Sequence, residues 1–111
     1  MNTVVIKTDG SWKIIDQPKI TLEDYQKVVG GWIEGISINK HLTMYCNEEG
    51  KILGLPVNHL ATYFVKNLRS FNDFICGNVI FSKVNEEGEE VTLSLDDINY
   101  IIDYIEIYQN A

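Results

Sequence analysis

A helix that reaches Gly30-Gly31 has to stop there, and the strand-forming Trp32-Ile33-Glu34 that follows leaves no room for a linker. This junction constrains the fold more than any other feature, because two punctuation marks of the same strength come soon after it. Asn47-Glu48-Glu49-Gly50-Lys51 is a strong turn, and Gly54-Leu55-Pro56-Val57-Asn58 is a rigid extended step ending on a helix-capping Asn. The middle of the chain is therefore cut into short elements of alternating type. No catalytic signature lies among these segments.

On either side of them the periodicity reads clearly. Val4 and Ile6 alternate with Thr3, Val5 and Lys7, Asp9-Gly10 turns the chain, and Trp12, Ile14 and Ile15 resume an apolar pattern before Pro18, which predicts a hairpin. Thr21 and Asp24 form a capping box for a helix through Tyr25, Val28 and Val29 that ends at Gly30. Residues 31–38 and 41–47 read as two strands. Trp32, Glu34, Ile36 and Ile38 share one face of the first, so Glu34 stands either at a strand end in water or in a site. Ile52, Leu53 and Leu55 read as a continued extended path up to Pro56.

Asn58 opens a second helix with Leu60, Tyr63, Phe64 and Leu68 at helical spacing. An apolar strand follows over residues 74–81, whose interior Gly77 suggests a bulge or a close backbone approach. A short strand at 91–93 leads to a second capping box, Ser94 with Asp97. The last helix then carries two apolar stripes, Leu95, Ile98, Ile102 and Ile105 along one and Ile101, Tyr104 and Tyr108 along the other. Two stripes exceed what one core contact needs and point to a subunit interface. The expectation is a single α+β domain over residues 1–111, a small mixed or antiparallel sheet with three helices packed on it.

Charge and ligand chemistry exclude several functions. The net charge is −7, and residues 71–111 carry only Lys83 against nine acids, a composition that repels DNA and RNA. No apolar run approaches the roughly 18 residues a membrane span requires, so the chain reads as cytosolic, unprocessed and without a membrane partner. The two cysteines, Cys46 and Cys76, sit in apolar, strand-like settings and read as reduced thiols. With His41 and His59 they match no compact zinc spacing, and no cofactor motif is present. Glu48-Glu49 and Glu86-Glu87 lie in turns, where charge serves solubility, so nothing marks an acid–base pair and the chain reads as a non-enzyme.

Arg69 is the one arginine in the chain and stands beside Phe71 and Phe74. A guanidinium next to aromatic rings can hold a nucleotide, by bidentate bonds to phosphate and stacking on the base. Asn72 and Asn78 supply amides for polar readout, and the first turn of the Asn58 helix can present backbone N–H groups to a phosphate. The candidate ligand-binding residues are thus Phe71, Arg69, Asn72, Asn78 and Asn58, with no catalytic or metal residues.

Over about residues 20–84 the chain resembles a family of small domains of unknown function encoded by bacteriophages, prophages and other mobile elements. The resemblance rests on Val29-Gly30-Gly31-Trp32-Ile33-Glu34, Asn47-Glu48-Glu49-Gly50-Lys51, Gly54-Leu55-Pro56-Val57-Asn58 with Ala61-Thr62, and Cys76-Gly77-Asn78-Val79, in that order. Within that family it is similar to the Thoeris anti-defence proteins that act as sponges. The resemblance implies a homo-oligomer in the cytoplasm of the bacterial host. It would bind glycocyclic ADP-ribose, the signal of the defence system's TIR enzyme, and hold it unchanged so that the effector stays off. A cyclic dinucleotide at another site is a further implied ligand. The alternative is an acidic protein-interaction module that blocks a host defence or replication protein through its C-terminal helix or the Trp32 sheet face.

Overall fold

The alternation in the first residues produces the expected hairpin. β1 (Asn2–Ile6) pairs antiparallel with β2 (Trp12–Asp16), Val4 opposite Ile14 and Ile6 opposite Trp12. A computed structural model describes residues 1–69 and 73–110, with Leu68 and Arg69 followed through their backbone. Thr21 caps α1 (Leu22–Val29) with the reciprocal Asp24 bond, and Gly30 closes it at φ 82°, a left-handed conformation that glycine adopts without strain. β3 (Ile33–Ser37) and β4 (Leu42–Asn47) form the second hairpin. α2 (His59–Arg69) leads towards β5 (Val79–Val84), the two-residue β6 (Glu90–Val91) and α3 (Leu95–Gln109), the last again opened by a capping box, Ser94 with Asp97.

The six strands form one antiparallel sheet in the order β2-β1-β5-β4-β3, and β6 pairs with the far end of β5. Both faces of its centre are covered, which is why β1 and β5 read as nearly continuous apolar runs. On one face Val4, Ile6, Met44, Val79 and Phe81 pack against Phe64 and Val65 of α2 and Ile98, Ile101 and Ile105 of α3. On the other, Val5, Ile80 and Tyr45 meet α1 through Tyr25 and Val29, with the Tyr25 and Tyr45 rings 4.9 Å apart. The result is a single α+β domain with α1 on one side of the sheet and α2 and α3 on the other.

Three expectations change. Residues 48–54 do not extend but wind back on themselves: the Leu53 N–H reaches Glu49 O at 2.9 Å, and the Leu55 N–H reaches Gly50 O at 3.0 Å. The Asn47 side chain starts the winding by accepting the Glu49 N–H at 2.8 Å, and Ile52 and Leu53 are left exposed. The strand expected from residue 74 begins at Val79, after Cys76 makes one isolated bridge to Val57. Gly77, at φ 91°, therefore precedes the strand and does not interrupt it. The second stripe of α3 is used inside the chain. Tyr104 lies 4.8 Å from the Phe64 ring and Tyr108 5.0 Å from Tyr63, so these half-buried residues already have partners within the chain, and Leu95 is exposed.

Candidate functional site

The motif segments meet at one end of the sheet and hold one another there. Asn47, at the end of β4, donates its amide to Val29 O at 3.1 Å and so ties the second hairpin to the end of α1. Asn58 is fully buried and donates to Ile6 O at 3.1 Å and Gly77 O at 3.0 Å, while its Oδ1 accepts the Ala61 N–H at 3.0 Å. The Gly77 N–H in turn reaches Pro56 O at 2.8 Å. Two glycines permit the close approach. A Cβ on Gly50 would stand 2.8 Å from Cys76 O, and one on Gly77 3.0 Å from the Leu55 side chain.

This interlock leaves two concavities whose linings include neighbouring residues, Cys76 in one and Gly77 in the other. The first is a shallow groove of about 320 Å³ lined by Thr8, Lys27, Val28, Val29, Gly30, Leu55, Pro56, Gly77 and Asn78. Among the described residues Lys27 is its one charged side chain, and no carboxylate lines it. Asn78 accepts the Thr8 N–H at 3.0 Å through Oδ1, and its NH₂ group has no protein partner among the described residues. The groove thus presents an ammonium, a free amide donor and the apolar surface of Leu55, Pro56 and Val28, a lining suited to an anionic ligand with a flat apolar part.

The second is a cleft of about 290 Å³ with the opposite character, lined by Glu34, Glu48, Glu49 and Asp73 against Lys51, with Phe74, Cys46 and Cys76. Lys51 pairs with Asp73 and lies 4.7 Å from the centroid of the Phe74 ring. That ion pair holds the Asp73 carboxyl below its ordinary value, chiefly through the hydrogen bond from Lys51. Glu34, the strand residue with two readings, borders this cleft and faces Cys46 with Oε1 3.8 Å from Sγ. Burial first, and then the Glu34 charge, push the Cys46 thiol up to about 12, so it stays protonated and is a poor nucleophile. Among the described residues no three His, Cys, Asp or Glu side chains gather to hold a metal ion.

Of the expected ligand residues, Asn78 lines the groove. Asn58 lies behind it, with both amide hydrogens and Oδ1 engaged by the backbone, so its side chain fixes the fold and is closed to a ligand. Phe71 and Asn72 lie outside the described residues, as does the side chain of Arg69. Thr8 and Lys27 were not anticipated, because each sits in an ordinary local context and reaches the groove only through the tertiary fold.

A family model described as a domain of unknown function, DUF3846, matches residues 1–108. The chain belongs to this family. The DUF3846 match runs from the first hairpin into the last turn of α3. No curated protein and no solved structure matches this DUF3846 chain. Among its described residues no helix is long and apolar enough to cross a membrane.

Proposed function

We propose that this DUF3846 domain is a phage-encoded anti-defence protein that captures a cyclic nucleotide signal without degrading it. The signal is glycocyclic ADP-ribose made by a Thoeris TIR enzyme in the host cytoplasm. The observation that carries the reading is the convergence of Val29-Gly30, Leu55-Pro56 and Gly77-Asn78 on one groove that holds an ammonium and excludes carboxylates, in a chain of net charge −7. Carboxylates line the neighbouring cleft, where they repel an anionic ligand.

In this reading Lys27 pairs with a phosphate, the free Asn78 amide donates to a phosphate or ribose oxygen, and Leu55 and Pro56 take the flat face of the base. Arg69 for phosphate, Phe71 for stacking and Asn72 for polar readout remain proposals on sequence grounds. The groove is shallow, so a second copy laid over it would enclose the ligand more fully, and binding would then favour assembly into a homo-oligomer.

The test is a calorimetric titration with glycocyclic ADP-ribose, followed by heat denaturation and mass analysis of what is released. Tight binding with intact ligand recovered supports sequestration, and altered ligand would make the protein an enzyme. Absence of binding heat removes the reading and leaves protein blocking as the function to pursue.

A further inference from the structure

α3 contains no Lys, Arg or His, and of its acids Asp97 alone has a cationic partner among the described residues, Lys83 at 2.7 Å. Asp96, Asp103 and Glu106 are exposed and make no ion pair there. Two of them are badly placed for the helix itself. Asp103 and Glu106 lie three residues apart, where like charges repel, and Glu106 stands in the last turn, where the backbone carbonyls already concentrate negative charge and a cation is favoured. Folding therefore gains nothing from them.

Large side chains on the same outward side carry unpartnered apolar surface. Tyr100 is 37 % exposed and Ile107 57 %, and seven residues separate them, which brings them onto one face with Asp103 between them. Tyr100 is held from behind by edge-on contact with Phe64 and Tyr104, so its position is fixed before any partner arrives. Beyond it, Asp103, Glu106, Ile107 and Asn110 border a shallow depression.

From this arrangement we infer that the outward face of α3 docks a basic amphipathic helix of another protein. Apolar residues of the partner, one heptad apart, rest on Tyr100 and Ile107, and its Lys or Arg side chains meet Asp96, Asp103 and Glu106. The charge complementarity selects the partner: among the described residues these acids have no cations to satisfy them, and a neutral or acidic helix would leave them desolvated and unpaired. This surface is separate from the Lys27–Asn78 groove and does not depend on its occupancy.

The probe is a synthetic amphipathic peptide of Lys and Leu, about 14 residues or four helical turns long, titrated into the isotope-labelled protein and followed by amide chemical shifts. Shifts centred on residues 96–110, with affinity falling as salt rises, are expected. Ile107→Ser combined with Asp103→Asn should weaken binding by about tenfold or more. Glu86→Gln combined with Glu87→Gln, which removes at least as much charge elsewhere, should leave binding within about twofold. The inference is overturned if the peptide shifts the Glu86–Glu90 region instead, if both double variants lose affinity equally, or if the peptide does not bind.

Discussion

Single residues at the loop end of the sheet do work that local sequence hides. Asn58 is the clearest case, since one side chain satisfies the carbonyls of Ile6 and Gly77 and the N–H of Ala61 in a site without solvent. Asn58→Ala would strip all three of their partners and should cost about 2–4 kcal/mol, measured by urea unfolding. Asn78→Ala loses one bond at a half-buried position and should cost under about 1 kcal/mol while weakening ligand capture, so the two asparagines separate by assay.

Cys46 makes a pH prediction. Its thiol is raised from 9.0 to about 12 in the fold, so the unfolded chain loses the proton first, and the stability this represents is complete below pH 9 and is lost as pH rises towards 12. Tyr25, also raised by burial and by donating to Glu90, adds to the loss at the alkaline end. Thermal melts at successive alkaline pH values should fall for the native chain, and Cys46→Ala should flatten the first part of that fall. An equal slope in the variant would mean that the thiol is not held protonated.

Among the elements, the helices were more legible than the connections. Both capping boxes and the Gly30 stop are local chemistry, complete within four residues, and the structure reproduces them. The hairpins followed from alternation and turn residues for the same reason. The segment 48–54 departs from its extended reading because Ile52 and Leu53 are apolar yet exposed, and the backbone bonds that wind them, Leu53 N–H to Glu49 O and Leu55 N–H to Gly50 O, leave no mark in an apolar pattern. The second stripe of α3 suggested a partner outside the chain because sequence spacing shows that a face is apolar and not what covers it. Here α2 covers it, through Phe64 against Tyr104 and Tyr63 against Tyr108. Tyr104→Ala should therefore destabilise the isolated domain by about 2 kcal/mol, with the loss independent of protein concentration in a melting series. A concentration-dependent loss would return those tyrosines to an interface between copies.

At the scale of the whole molecule, the fold separates charge. Carboxylates gather in the cleft beside Lys51 and along α3, while the lining of the groove between α1 and the start of β5 holds Lys27 and the Asn78 amide and, among the described residues, no carboxylate. The motifs that mark the family-level resemblance were legible as punctuation, and the groove they build was not, because Thr8 and Lys27 join it only when β1 and α1 are brought beside residues 77–78. The most direct measurement is a chemical-shift map of the labelled protein with glycocyclic ADP-ribose. Perturbations at Thr8, Lys27, Gly30, Gly77 and Asn78, lost in a Lys27→Glu variant that remains folded, are the expected result. A map centred on Glu34, Lys51 and Asp73, or one with no perturbation at saturating ligand, would contradict the assignment of this groove as the ligand site.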